Sequence, residues 1–399
     1  MNTIGNTVEN TFDFLKRVGM LILFLLIDIS YHPTVVNMSH AAGYESGTIL
    51  SRYIVILFGS IFILSVWGSS FIKATVFKRY ILWLLWTFIV AVFIYAIWHN
   101  DSMLIELRSI IIPLIAFCIG WEIKLTKRSF LLIVLVFCLG NIFSGVSQVM
   151  TNIGGFKIAD QYLVDSKNEL GAILASGCLS LFFFSSETRN NFMKYLMLAL
   201  AIGTLLIIVT IRARAALLAV IILFLLYVTM RQKDAAKMVL SILGVAILLV
   251  FVYFLHPSWF DFFNSSLHAG AQEDDFTSGR INTYLDAISF WARHPFLGNV
   301  ALTGTVGWVH NYPLLQLYRF GLLFSWPILI LYFYLFIKLF KSAIKSKNTM
   351  FACEGYIVAL TPFIISLLEP TFPFGPGTAT VYNFIIFGLI ERKVNDSVI

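Results

Sequence analysis

Charge is the scarcest property of this sequence. Only 12% of its 399 residues are Asp, Glu, Lys or Arg, against 59% hydrophobic residues, and the mean hydropathy is +0.86. A soluble globular domain carries about 25% charged residues, so that class is excluded. Cysteine is nearly absent too. Cys118, Cys138, Cys178 and Cys353 all fall inside apolar runs, which speaks against a disulfide framework, and no metal-ligand spacing appears. The first apolar run has no small-residue cleavage site after it, so it is expected to stay as a helix. No internal repeat is visible, although transporters and flippases commonly carry one.

What is present in abundance is apolar runs long enough to span a bilayer. A spanning helix needs about 20 such residues, and in lipid its backbone groups must pair internally. The expected fold is therefore all-α and polytopic, one integral membrane domain over 1–399. The runs predict twelve spans, at 17–31, 52–72, 80–98, 104–122, 129–149, 168–186, 195–211, 215–230, 238–255, 312–337, 351–368 and 379–391, with eleven to thirteen compatible. Trp98, Trp121 and Trp308 at run ends fit interfacial belts. With the N-terminus inside, 19 of the 28 basic residues fall on the inner side, so both termini are expected to be cytoplasmic. The formal net charge of +7 then reflects anchoring to an anionic inner leaflet and requires no nucleic acid.

The basic residues divide unevenly by type. The inner set is thirteen Lys and six Arg; the outer set is two Lys (Lys157, Lys167) and seven Arg (Arg52, Arg108, Arg212, Arg214, Arg280, Arg293, Arg319). Arginine's planar fork binds phosphate oxygens bidentately, so this bias points to a phosphorylated ligand outside. The plainer explanation is that translocation disfavours loop positive charge in general.

Four polar features stand out. Residues 256–311 form the longest stretch without a span, a large periplasmic loop in this topology, with amphipathic helices expected inside it. There Ile281, Leu285, Ile288 and Trp291 recur at helical spacing after Ser278-Gly279-Arg280, a helix suited to the membrane surface or to capping the bundle. His294-Pro295-Phe296-Leu297-Gly298 ends it. The loop's Glu273-Asp274-Asp275 run reads as a solvated turn, with cation binding as the sharper alternative. Second, Arg212 and Arg214 lie between two apolar runs, where a buried arginine costs roughly 2.5–3.5 kcal/mol at mid-membrane. Third, Asp165-Ser166-Lys167-Asn168-Glu169-Leu170-Gly171 opens a span; it either caps the helix or lets Lys167 or Asn168 touch a substrate. Fourth, His310-Asn311 closes the loop just ahead of an apolar run containing Gly321. An imidazole at such a border can exchange protons with water beside a lipid-borne substrate. His310 could equally be a satisfied interfacial histidine, Arg280 an ion-pair partner of Asp274, Asp275 or Asp286, and Asn311 a helix cap or an orienting group.

Taken in order, Arg214 between alanines, Ser278-Gly279-Arg280, His294-Pro295-Phe296-Leu297-Gly298 and His310-Asn311 with Gly321 resemble the O-antigen polymerase and O-antigen ligase family, most closely over residues 160–340. The resemblance implies a glycosyltransferase-C-like fold and glycosyl transfer at the periplasmic face of the bacterial inner membrane. It implies a glycan on undecaprenyl diphosphate as donor, a glycan or lipid A-core as acceptor, and neither metal nor cofactor. It implies His310 as the base, Arg214 and Arg280 at the diphosphate, and a chain-length regulator protein as partner; Arg212 is a further candidate for the diphosphate. Asn311, Lys167, Asn168 and Arg293 are candidates for substrate contact or orientation. Ala213 and Ala215, where ligases often carry Ser or Thr and Gly, and Phe324 depart from the ligase pattern. With Lys167-Asn168-Glu169-Leu170-Gly171, these departures favour a polymerase over a ligase; a lipid-linked glycan flippase is the alternative of another class.

Overall fold

The computed structural model describes residues 70–122, 125–153, 167–211, 213–231, 280–301, 309–346, 350–375 and 377–396. Among the described residues there is helix and no strand. The helices are α1 (Thr75–Trp98), α2 (Ser102–Glu122), α3 (Lys127–Ile153), α4 (Lys167–Ser185), α5 (Asn191–Thr210), α6 (Arg214–Arg231), α7 (Arg280–Arg293), α8 (Tyr312–Lys345), α9 (Met350–Ala359), α10 (Thr361–Ile365) and α11 (Thr378–Asp396). Within them α1 to α5 and α8 are long and apolar enough to cross a membrane, and α6 and α9–α10 are shorter apolar helices. The expected spans at 17–31 and 238–255, nearly all of that at 52–72, and loop residues 256–279 and 302–308 lie outside the described residues.

The chain divides into two compact units. The first holds the described residues 70–137 and 374–396, the second 138–153 and 167–373. In the first, α2 and α11 lie backbone to backbone. A Cβ on Gly120 would meet the Ile385 carbonyl, and one on Gly388 the Phe117 carbonyl. Small residues permit this close approach, which drives helix association where lipid removes the hydrophobic incentive. Arg392 of α11 donates to Trp121 O at 2.8 Å and pairs with Glu122 at 3.6 Å.

In the second unit α4 is central and buried along nearly its whole length, packed by α5, α6, α9 and α10. Gly171 faces Ala213 and Ala216, so the first turns of α4 and α6 sit together. At the opposite end of these helices Glu354 of α9 accepts from Ser186 Oγ (3.1 Å) and Tyr227 OH (3.0 Å). Large apolar side chains such as Phe143, Phe192, Ile202 and Leu206 remain exposed, as hydrocarbon-facing surfaces require.

Two interruptions position the site. The run expected to be one span over 351–368 is broken into α9 and α10, and the chain then turns at 366–369. Pro362 gives the physical reason, since it has no N–H to donate and restricts the residue before it. The second break lies within α8 at Gly321, which has φ 60° and ψ −178°, a combination open essentially to glycine alone. The freed N–H groups of Leu322 and Leu323 are taken by Pro295 O (2.8 Å) and Phe296 O (3.0 Å). Asn299 N returns to Tyr318 O at 3.0 Å. Gly298, also at positive φ (56°), lies against Gly321 N. His294-Pro295-Phe296-Leu297-Gly298 is thus a backbone clasp that fastens α7 to α8, and the two glycines are where the strands of the clasp touch.

Gly321→Ala should strain the backbone by roughly 1–3 kcal/mol and also push a Cβ into the Phe296 carbonyl. A clear drop in melting temperature of the detergent-purified protein is expected. Gly203→Ala, where a Cβ meets nothing within 4 Å, should leave it unchanged or slightly raised. Equal behaviour of the two variants would rule out the clasp.

Candidate functional site

The turn at 366–369 is a hub. Three successive carbonyls point outward from it and each receives a donor. Ser366 O accepts from Tyr312 N at 2.9 Å, Leu367 O from Asn311 Nδ2 at 3.0 Å, and Leu368 O from Arg280 Nη1 at 2.8 Å. The α10 helix is too short to use these carbonyls internally, so partners from α7 and the start of α8 satisfy them. Glu369 follows directly. Its Oε1 pairs with Arg280 Nη2 at 2.7 Å, and its Oε2 lies 3.4 Å from His310 Nδ1.

The side chain of Glu369 is only 5% exposed, while those of Arg280 and His310 are 21% and 29% exposed. A buried carboxylate therefore backs two groups that reach solvent. With the carboxylate accepting, Nδ1 carries the proton and Nε2 keeps its lone pair. The 3.4 Å separation is long for a hydrogen bond, and such contacts commonly tighten when substrate is bound. Among the described residues Arg280 spends two N–H groups, to Leu368 O and Glu369 Oε1, out of the five that a guanidinium carries.

Tyr284, one turn beyond Arg280 on α7, donates its hydroxyl to His310 O at 2.6 Å. Burial pushes the Tyr284 phenol up; Arg280 opposes this and Glu369 adds to it. Below this contact Ala287, Val309, Leu315 and Tyr318 form an apolar seam with Tyr284, Phe290 and Leu314. The same helix thus ties to the backbone of His310 through Tyr284 and to the carboxylate beside its ring through Arg280.

The sequence candidates fall into distinct places. Arg280 and His310 are brought together. Among the described residues Arg280 pairs with Glu369, and Asp286 is exposed on α7; Asp274 and Asp275 lie outside the described residues. Asn311 does cap α8, accepting from Leu314 N at 2.9 Å, and it also ties the helix to Leu367. Arg214 opens α6 and is half-buried; the bonds that join Arg280 and His310 to Glu369 do not include it. Arg212 lies outside the described residues, Lys167 begins α4, and Asn168 beside it is half-buried. Arg293 is exposed and donates to Ser289 O of its own helix at 3.3 Å, away from the hub. Trp291, expected on the stripe of Ile281, Leu285 and Ile288, is half-buried while those three are exposed, because 100° per residue rotates position 291 toward the packed side.

Glu369 and Tyr284 were missed by sequence reasoning. The available signal for Glu369 was a lone carboxylate at the end of an apolar run, a costly placement that needs a partner. Among the described residues no group of three or more His, Cys, Asp or Glu could hold a metal ion.

No curated protein matches this chain. Residues 196–313 match the family model described as O-antigen ligase, a span that includes Arg214, Arg280, His310 and Asn311 and stops short of Gly321 and Glu369. The match is a similarity over that segment, and it agrees with the resemblance that the ordered motifs carry.

Proposed function

We propose that this protein is a polymerase that joins oligosaccharide repeat units carried on undecaprenyl diphosphate, at the periplasmic face of the inner membrane. The observation that carries the reading is the Arg280–Glu369–His310 cluster, which places an imidazole beside a guanidinium at the foot of a spanning helix. In the reaction His310 Nε2 takes the proton of an acceptor hydroxyl as its oxygen bonds to the anomeric carbon of the donor sugar. The bond from that carbon to the diphosphate breaks, and the electron pair leaves with undecaprenyl diphosphate. Glu369 orients the ring and stabilises the imidazolium. Arg280 and Arg214 stabilise the charge growing on the leaving group, most effectively where water is excluded. Both termini are cytoplasmic in this reading, no metal takes part, and a chain-length regulator is the expected protein partner.

Ligation to lipid A-core uses the same donor chemistry and is the second reading, favoured by the description of the matching family model. The lipopolysaccharide of a deletion strain separates the two. Core bearing a single repeat unit establishes lost polymerisation; bare core with lipid-linked polymer accumulating establishes lost ligation and overturns the polymerase. An unchanged profile overturns both. Within the site, Arg280→Lys should cut activity at least tenfold, because a point charge cannot serve Leu368 O, Glu369 and a diphosphate together. Turnover of that variant with lipid-linked donor is the measurement, and wild-type turnover would reduce Arg280 to a structural tie.

A further inference from the structure

The surface of α7 divides into three sectors of about 120° each at 100° per residue. Tyr284, Ala287 and Trp291 face the protein, with Ala287 fully buried against α8. Asn282, Asp286, Ser289 and Arg293 form an exposed polar sector. Between these two lies a third sector that is both apolar and exposed: Ile281 (53%), Leu285 (59%) and Ile288 (45%). A helix packed on a protein and otherwise bathed in water has no use for that third sector.

The apolar sector does not end with the helix. Phe296 and Leu297 in the clasp are exposed, and the clasp is bonded through Pro295 O and Phe296 O to Leu322 and Leu323, which are themselves exposed on the spanning helix α8. The hydrocarbon-facing surface of α8 therefore continues through the clasp onto α7.

We propose that α7 is an interfacial helix seated in the bilayer, with Ile281, Leu285, Ile288 and Phe296 inserted among the lipid acyl chains at the boundary with the headgroups. Its polar sector faces water, and Arg293 lies at the height of lipid phosphates. Seating α7 in this way sets Arg280, the first residue of the same helix, at the level of the headgroup layer. The inference rests on the membrane-spanning character of α8 and stands apart from the glycosyl-transfer reading.

Depth-dependent quenching tests it on the full chain in phosphatidylethanolamine–phosphatidylglycerol vesicles. The native cysteines are buried, so Leu285→Cys and Ser289→Cys can each be labelled with an environment-sensitive fluorophore. The label at 285 should be quenched several-fold more by a nitroxide on the upper acyl chain than the label at 289, and the label at 289 more by aqueous iodide. Equal quenching of both sites, or the reverse order, overturns the proposal. Shielding of the 285 label from both quenchers also overturns it, and would assign the sector to a second copy or another part of the chain. Glycosyl transfer by the labelled proteins, measured alongside, reports on the catalytic reading separately.

Discussion

Replacing His310 by alanine should abolish chain extension while protein level stays close to normal. On the proposed reading His310 is the positioned base, a role that contributes typically 10²–10⁴-fold, and among the described residues the cluster holds no second imidazole. The structural cost is small. The ring is 29% exposed, and its contact with Glu369 is the long one at 3.4 Å. The backbone carbonyl that Tyr284 holds survives the substitution. Asn311→Ala is the useful contrast, because it removes a helix cap worth about 1 kcal/mol together with the bond to Leu367. Loss of turnover at normal thermal stability is therefore the signature of His310→Ala, and a lowered melting temperature that of Asn311→Ala. Wild-type polymer lengths in the His310 variant would remove this residue from catalysis.

The second large effect is expected at Glu369. Its carboxylate holds Arg280 at 2.7 Å with only 5% of the side chain exposed, so Glu369→Ala leaves an unbalanced guanidinium. Breaking a fully buried pair by removing one partner costs about 3–5 kcal/mol, and a smaller loss is expected here because Arg280 keeps part of its contact with water. Glu369→Gln keeps the shape and an acceptor for Arg280 but loses the charge that orients His310. We expect the glutamine variant to fold and to be severely slowed at unchanged donor affinity. A double change, Arg280→Met with Glu369→Leu, should recover most of the stability lost in Glu369→Ala and none of the activity, because an apolar pair can replace a buried ion pair energetically. Wild-type turnover by the Glu369→Gln protein would leave the carboxylate a merely structural role.

The four candidate spans between Thr75 and Ser185 were readable in the sequence because hydrocarbon permits so few backbone solutions that hydropathy alone predicts helices there. Arg280 and His310 were readable for a different reason: they stand out chemically on an apolar background. Glu369 was hidden since it follows an apolar run that periodicity joins into one helix, and only the Pro362 break turns the chain so that its carboxylate meets residues far away in sequence. The His294-Pro295-Phe296-Leu297-Gly298 segment was visible as a helix stop. Its tertiary role was not, because that role lies in backbone carbonyls answering the Gly321 kink. Spacing groups Trp291 on one stripe with Ile281, Leu285 and Ile288, yet it lies at the packed edge of that stripe, and spacing alone does not show which edge meets α8.

The carbonyl-bearing turn at 366–369 has a bearing on biogenesis. A ribosome that has finished α8 has already produced Arg280, His310 and everything in the family-matching segment, yet the anchor for both side chains has not been synthesised. Until α9 and α10 are made, α7 and α8 can already be joined through Tyr284 and the clasp, but His310 and Arg280 lack the carboxylate that bridges their side chains. On the proposed reading, the Arg280–Glu369–His310 cluster is therefore completed only late in translation, when Glu369 is in place.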